Sequence, residues 1–141
     1  MLTLPLCQEA CILGPIALHR YNGIVVDRAE QKMIEQDLGK TAMVMLLENH
    51  GAIVLGRTVE EAWHYLYHLM LAAKTQVMIH STNLKGSWLE QKAQKVAKLS
   101  KKTHDVVVNG DTSSKGPMEV GVLNFEAQMR ALDDMGYRTG K

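Results

Sequence analysis

The chain has 141 residues, of which 46% are hydrophobic and 22% charged, a composition typical of one globular domain. Its 16 lysines and arginines balance 15 aspartates and glutamates, and the net charge of +1 gives no general basic field for nucleic acid or an acidic membrane. The longest apolar runs are far shorter than the roughly 20 residues that cross a bilayer. We therefore expect neither a nucleic-acid partner nor a membrane span.

The N-terminal residues lack the basic start and the continuous apolar stretch of a secretory signal. Cys7 and Cys11 are the only two cysteines, and without such a signal we expect them to be reduced thiols in the cytoplasm. Their C-x3-C spacing could serve a metal, but no second pair of cysteines or histidines lies nearby in the sequence. Reduced structural thiols are the favoured interpretation.

The first part of the chain alternates predicted strands with a helix. Residues 16–21 and 24–26 are predicted as short strands separated by the Asn22-Gly23 turn signal. Asp27 and Glu30 have the spacing of a capping box and predict a helix that stops at Gly39. The residues expected on its apolar face are Ala29, Met33, Ile34 and Leu38.

Two continuous apolar segments follow, Ala42 to Leu47 and Ala52 to Leu55, and predict strands covered on both faces. Thr58 and Glu61 form a second capping box, which opens a long helix running to about His80. The face predicted to lie in the core consists of apolar residues at helical spacing: Val59, Ala62, Trp63, Leu66, Leu69, Met70, Ala73 and Val77.

The last third of the chain is more polar. The lysine-rich stretch from Lys85 to Lys102 predicts a surface helix, and residues 109–117 predict a flexible loop, so that 85–117 is a helix plus loop. A final helix is predicted over Val122 to Met135, with Gly136 as its stop and with Leu123, Phe125, Met129 and Leu132 buried. This order of elements predicts a layered α/β domain rather than a bundle or a sandwich.

Histidines are the main candidates for chemistry. His50 lies in the predicted turn between two strands, beside a glycine that permits positive φ, and could be a metal ligand or a substrate contact. The alternative is a hairpin tip whose polar side chains bond local backbone. His64 and His68 are four residues apart on one helix, but Tyr65 replaces the glutamate of a zinc protease, which favours a half-buried hydrogen-bonded pair.

Other catalytic patterns are absent from the sequence. Gly51 and Gly56 are not followed by the lysine and hydroxyl residue of a phosphate loop, and no serine or threonine has an identifiable histidine and carboxylate partner. The lysines between residues 92 and 102 could contact an acidic partner, although a solvated helix face is the favoured interpretation.

Three segments resemble the class II aldolase and adducin family. LLENHGAIVLGRTVEEAWHYLYHLMLAAKTQV, from Leu46 to Val77, is similar to the family's Asn-His-Gly strand end and the long helix that follows it. LNFEAQMRALDDMGYRTG, from Leu123 to Gly140, resembles the end of the adducin head domain, and ILGPIALHRYNGIVVDRAE resembles the segment before the Asn-His-Gly motif. The resemblance implies an α/β/α class II aldolase-like fold, with residues 1–141 forming one partial domain that is truncated at its N-terminal side.

In enzymes of this family the histidine of Asn-His-Gly is one of three zinc ligands, which implies His50 as the matching position. The resemblance places the other two ligands and the acid/base glutamate before Met1. We therefore expect no catalytic residue and no cofactor in this chain. A domain truncated in this way would expose a sheet edge and an apolar face, and we expect a broad thermal transition.

The resemblance to adducin implies a noncatalytic head-domain protein of the actin and spectrin membrane skeleton. It further implies homo- or hetero-oligomers with adducin-like chains, in the cytoplasm at the periphery of the plasma membrane. The alternative is a fragment of a zinc-dependent class II aldolase or epimerase acting on sugar phosphates, in which zinc would polarise a carbonyl group.

Overall fold

A computed structural model describes residues 7–22, 28–82 and 120–137 of the chain. These ranges contain four helices and three strands, which we number in chain order. They are α1 (Gln8–Ile12), β1 (Ile16–His19), α2 (Arg28–Leu38), β2 (Val44–Leu47), β3 (Gly51–Val54), α3 (Val59–Ser81) and α4 (Val122–Asp134). The predicted strand at 24–26, the helix at 85–102 and the loop at 109–117 lie outside the described residues.

The three strands form one mixed sheet in the order β1-β2-β3. β1 pairs in parallel with β2, with Ile16 opposite Val44 and His19 opposite Leu47. β2 and β3 are antiparallel and pair Val44 with Val54. The parallel pair brings the carboxyl ends of β1 and β2 to the same edge of the sheet, which is where α/β folds build their ligand sites.

Helices cover both faces of the sheet, which confirms the predicted α/β fold with three layers. On one face Val44 packs in a core with Leu13, which follows α1, and with Tyr65 and Leu69 of α3. On the other face Met45 and Ala17 pack against Ile34 and Leu38 of α2. Successive residues of a strand point to opposite faces of the sheet. Val44 and Met45 are both fully buried, and each therefore joins a different core.

The prediction of two fully covered strands is right for β2 and wrong for β3. Val44 and Met45 of β2 are buried, but Gly51 and Ala52 of β3 are exposed. The described sheet ends at β3, so this strand pairs on one side only. Its side chains at Ile53 and Val54 remain half-buried because each contacts one of the two cores.

The N-terminus of α3 is capped as the sequence predicts. Thr58 Oγ1 accepts a hydrogen bond from the Glu61 N–H at 3.2 Å. The Glu61 carboxylate turns back to accept from the Arg57 N–H at 2.6 Å and from the Arg57 guanidinium at 3.1 and 3.2 Å. Burial raises the pKa of Glu61, but the hydrogen bonds from Arg57 outweigh burial and hold this pKa below its usual value.

The predicted core face of α3 is right for Leu69, which is buried, and wrong for four of its eight residues. Val59, Leu66, Met70 and Val77 are exposed. The buried residues of the helix are instead Glu61, His64, Tyr65, Leu69, Ala72 and Gln76. Apolar residues surround so much of α3 that their spacing in the sequence does not identify the buried face. Tyr65, Leu69 and Ala72 pack in the core formed with α1. Glu61 is buried because Arg57 pairs with it.

The amphipathic faces of the other two long helices also differ from prediction. In α2 Glu30 is the buried residue, while Ala29 and Met33 are exposed. α4 has no buried residue, since Leu123 is exposed and Phe125, Met129 and Leu132 are half-buried. Ile34 and Leu38 are half-buried as predicted for that face, and Glu30 is buried among them because it has a buried partner, described below.

Gly121 positions α4 against α3. It is the N-cap residue of α4 and has φ +85°, a left-handed conformation that favours glycine. A Cβ atom at this position would lie 2.5 Å from the Glu60 carbonyl oxygen and 2.8 Å from His64 Cβ. The two helices therefore approach as closely as backbone allows. Among the described helices, none is both long and apolar enough to cross a membrane.

Candidate functional site

The candidate site lies at the carboxyl edge of β1 and β2. His19 is the last residue of β1, and its carbonyl oxygen accepts a hydrogen bond from the Glu48 N–H at 2.9 Å. This bond continues the parallel pairing into the turn after β2. It places the segment that follows β1, with Tyr21 and Asn22, beside the Glu48-Asn49-His50 turn.

His19 lies under this edge and is held between two carboxylates of α2. Its side chain is 2% exposed. Nε2 lies 2.9 Å from Glu30 Oε1, and Nδ1 lies 2.8 Å from Asp37 Oδ2. Because strand side chains alternate, His19 points to the same face as Ala17, toward α2.

This geometry favours a doubly protonated imidazole. A neutral histidine has one N–H and one lone pair, and the lone pair would then face a carboxylate oxygen. Hydrogen bonds to Asp37 and then Glu30 raise the pKa of His19, and they outweigh the opposing effect of burial. An imidazolium that donates from both nitrogens offers no lone pair, so His19 as placed is neither a general base nor a metal ligand.

Glu30 is fixed by two partners. The His19 imidazolium lowers the pKa of Glu30, and the Asn22 amide lowers it further by donating to both carboxylate oxygens at 3.3 and 3.4 Å. These contacts tie the segment after β1 to the first turn of α2. The arrangement is a buried ion pair with its remaining acceptors satisfied, as stable buried pairs require.

His50 occupies the tip of the β2–β3 hairpin. Its N–H donates to the Leu47 carbonyl at 3.1 Å, and Asn49, with φ 59°, is the third residue of this turn. A positive φ at that position is typical of a type II turn and is tolerated by asparagine. The residue of this turn with positive φ is thus Asn49 and not Gly51, the glycine that the sequence analysis named as permitting positive φ.

The imidazole of His50 stacks on Tyr21. The ring centroids are 3.9 Å apart and the planes differ by 18°. His50 itself is exposed, and Tyr21 is half-buried. The contact links the two turns at the carboxyl edge, and it leaves the edges of the His50 ring directed away from the stack.

A catalytic zinc site needs three protein ligands and one open position. Within residues 7–22, 28–82 and 120–137, no group of three or more histidine, cysteine, aspartate or glutamate residues could hold a metal ion. His50 has Tyr21 as its ring neighbour, and both nitrogens of His19 face carboxylates. The described donor set does not fit a catalytic zinc, and we derive no chemical step through one.

His64 and His68 lie elsewhere, on α3. Their ring centroids are 4.2 Å apart, and His68 Nδ1 lies 2.8 Å from the His64 carbonyl oxygen. The predicted hydrogen-bonded pair is therefore right for His68 only. Neither ring nitrogen of His64 has a hydrogen-bond partner in the described structure, and burial, with a smaller contribution from His68, lowers the pKa of His64 to about 4.

Sequence reasoning missed His19, which the structure places at the centre of the site. A signal was present, because Glu30 and Asp37 are seven residues apart and so share one side of the predicted helix. Two carboxylates on a face predicted to be apolar indicate a buried cationic partner. Which of the six histidines supplies it depends on the parallel pairing of β1 with β2, which no local pattern encodes.

The family model of the Class II Aldolase and Adducin N-terminal domain matches residues 2–77, more than half of the chain. The chain belongs to the class II aldolase and adducin family. This family membership confirms the resemblance drawn from the Asn-His-Gly segment, and it places both turns of the carboxyl edge inside the matched region.

Among curated proteins, the chain is 35% identical to alpha-adducin of Rattus norvegicus over 137 residues. It is 36% identical to beta-adducin of Homo sapiens over 146 residues. Both alignments include 97% of this chain but only 19% of the relative, so the chain spans about a fifth of the length of these adducins. The chain is an adducin-like domain of the family.

Among solved structures, the chain is similar to an aldolase II superfamily protein from Pseudomonas syringae, with a TM-score of 0.72 and 28% sequence identity. The match covers 94% of this chain and 49% of that protein. The class II aldolase-like fold inferred from the sequence is confirmed by this similarity, and the matched part of this chain corresponds to about half of the solved structure.

Proposed function

We propose that the chain is a noncatalytic head-domain module of an adducin-like protein, acting in oligomer assembly within the actin and spectrin membrane skeleton. The observation that carries the proposal is the 35% identity to alpha-adducin over 97% of this chain. A match that runs through both the Asn-His-Gly segment and the C-terminal helix supports an adducin-like role for the domain as a whole.

The geometry of the carboxyl edge supports a structural role. His19 uses both nitrogens to hold α2, and its partner Glu30 is also bound by Asn22. Groups engaged in this way hold elements together and do not transfer protons to a substrate. Tyr21 and His50 join the two turns by ring stacking in the same region.

We propose actin and spectrin as partners in the full-length context, together with a second adducin-like chain in a homo- or hetero-oligomer. The corresponding location is the cytoplasmic periphery of the plasma membrane. These partners follow from the adducin resemblance, and the relatives named adducin support them only through that name.

The test of assembly is direct binding between purified proteins. We expect the tagged chain to retain a purified adducin head domain, and to co-sediment with spectrin and actin filaments only when supplied as the full-length protein. The Asp134→Asn variant is a control that alters only an exposed position in the last turn of α4. Failure of the chain to bind any adducin head domain would contradict the proposed function.

We further propose that the chain by itself holds no catalytic zinc. The alternative, a fragment of a zinc-dependent aldolase or epimerase acting on sugar phosphates, requires His50 as a ligand. Zinc content after purification separates the two functions. Tight stoichiometric zinc that is lost in His50→Ala and retained in His80→Ala, a substitution at an exposed histidine of α3, would favour the enzyme.

A further inference from the structure

α3 presents an exposed apolar stripe opposite its buried face. Four residues, which we call the outer stripe, are Val59, Leu66, Met70 and Val77. Their exposed fractions are 69%, 43%, 64% and 69%. With about 100° of rotation per residue, all four fall within about 40° of one line along the helix. α1, β2, β3 and α4 are described elements that pack on α3, and the four residues stay exposed beside them.

The outer stripe has the spacing of a coiled-coil seam. Trp63 and Ala73, both half-buried, fill the gaps between its members. The six positions from Val59 to Val77 then alternate in steps of four and three residues. This is the heptad pattern by which one helix packs along another. Core packing within the described chain does not account for its four exposed members, because the buried residues of α3 lie on another side.

We propose that the outer stripe binds the outer stripe of a second copy of this chain, with the two α3 helices antiparallel. In an antiparallel pair of such helices, each a position of the heptad faces a d position of the other helix. Leu66 of one copy then faces Met70 of the other, and Val59 faces Val77. Trp63, the largest side chain of the seam, faces Ala73, the smallest, and this match is repeated by the two-fold symmetry.

A parallel arrangement lacks this complementarity. It would set Trp63 against Trp63 and Ala73 against Ala73, which crowds one layer of the seam and leaves a gap in another. The ring of Trp63 is already oriented by stacking on Tyr67 at 5.3 Å and by an edge contact with Phe125 at 6.2 Å. Phe125 of α4 therefore fixes the orientation of Trp63, the largest side chain of the seam.

Charges beside the seam select the same orientation. Glu60 and Lys74 flank the outer stripe on one side of α3, fourteen residues apart. In the antiparallel pair these flanking positions face each other around the two-fold axis, so Glu60 of each copy lies near Lys74 of the other. Lys74 is exposed and Glu60 is half-buried beside α4, and such flanking pairs favour correct register more than affinity.

This inference rests on the proposed function, since it names the surface and the partner by which the module assembles. A seam shorter than three heptads buries little area, and we expect reversible association in the micromolar range rather than an obligate dimer. The two possible partners of an assembly module, an identical chain and a different adducin-like chain, can be separated experimentally.

Sedimentation equilibrium of the full chain over a range of concentrations tests the surface. We expect the unmodified chain to reach a monomer–dimer equilibrium, and Met70→Glu to weaken it roughly 100-fold because the substitution buries two carboxylates in the seam. Met78→Glu is the matched control: Met78 is 59% exposed on the same helix but lies about 100° around it from Val77. Equal effects of the two substitutions would overturn the proposal.

Charge reversal tests the orientation without touching the apolar seam. Lys74→Glu sets like charges together at both ends, and we expect roughly 10-fold weaker association at low salt. The double variant Glu60→Lys with Lys74→Glu restores both pairs and should restore the association. A double variant as weak as the single one would contradict the antiparallel register, and circular dichroism confirms that each variant is folded.

The outcomes separate this inference from the proposed function. A chain that stays monomeric yet binds a purified adducin head domain overturns the second-copy proposal and leaves the assembly module intact. If that binding is lost in Met70→Glu but retained in Met78→Glu, the outer stripe takes a different chain as its partner. Dimerisation without binding to any adducin head supports the stripe and overturns the proposed function.

Discussion

A single imidazole joins the end of β1 to both ends of α2. His19 Nε2 lies 2.9 Å from Oε1 of Glu30 in the first turn of the helix, and His19 Nδ1 lies 2.8 Å from Oδ2 of Asp37 in its last turn. The protonated ring therefore fixes both the position and the direction of α2 against the sheet. Two carboxylates share one cation, so the contact depends on the charge of His19.

Stability should fall as the pH rises above 6.5. The pKa of His19 is raised in the folded chain above its ordinary value of 6.5, so its contribution is complete below 6.5 and is lost as the pH rises through the folded pKa. The lowered pKa of Glu30 acts in the opposite range, with a contribution that is lost as the pH falls below 4.5. Urea unfolding as a function of pH measures both the alkaline and the acid loss of stability.

The variant His19→Gln should be less stable than the unmodified chain and should lose most of the alkaline dependence, because the shared cation is absent. His80→Gln provides a control, since His80 is exposed in the last turn of α3. An alkaline arm that is identical in His19→Gln and the unmodified chain would show that His19 is not the group responsible.

The sequence allows prediction of features set by neighbouring residues. The Thr58 cap, the extent of α3 and the stop of α4 at Gly136 are local, and the structure confirms each. Which side of α3 is buried is not local, because apolar residues surround much of that helix. The partners of His19 also escaped prediction, since pairing across the sheet brings together residues that are eleven and eighteen positions apart.

Acid should destabilise the chain through His64. Its pKa is lowered to about 4 in the folded state, whereas the unfolded state binds a proton near 6.5. The penalty is absent above 6.5, grows as the pH falls, and levels off below about 4 at no more than about 3 kcal/mol. We expect His64→Phe to reduce the loss of stability between pH 6.5 and 4, measured by thermal unfolding.

His68→Phe is the comparison for His64. His68 is half-buried and lies within hydrogen-bond distance of the His64 carbonyl group, so its removal changes the same region of α3. It should leave most of the acid dependence in place because the buried ring of His64 remains. Equal flattening of the acid arm by both variants would argue against burial of His64 as the cause.

The contact of α4 with α3 should be sensitive to one methyl group. Gly121→Ala introduces a Cβ 2.5 Å from the Glu60 carbonyl oxygen at a residue with φ +85°. We expect a loss of about 2 to 4 kcal/mol, combining backbone strain with the displacement of α4. Differential scanning calorimetry and the fluorescence of Trp63, which contacts Phe125 of α4, would follow the change.

Gly136→Ala isolates the strain. Gly136 has a similar φ of +90°, but a Cβ there would meet no atom within 4 Å. Its substitution should cost only about 1 kcal/mol. If the two alanine variants are equally stable, the close approach at Gly121 does not determine how α4 packs.

Removing the cap of α3 should have a moderate effect. Thr58→Ala deletes the oxygen that accepts from the Glu61 N–H, and we expect a loss of about 1 kcal/mol in the free energy of unfolding. Thr58→Ser keeps a hydroxyl group and should remain close to the unmodified chain. Chemical denaturation of the three proteins provides the comparison, and a Ser variant as unstable as Ala would assign the effect to the threonine methyl group.

The division of α3 into two faces also determines which substitutions the chain tolerates. The buried face of the helix consists of Tyr65, Leu69 and Ala72, whereas several other hydrophobic side chains of α3 lie outside the core. Polar replacements along the outer stripe should therefore leave the folding of the monomer intact. Selection that acted on folding alone would have allowed those positions to become hydrophilic.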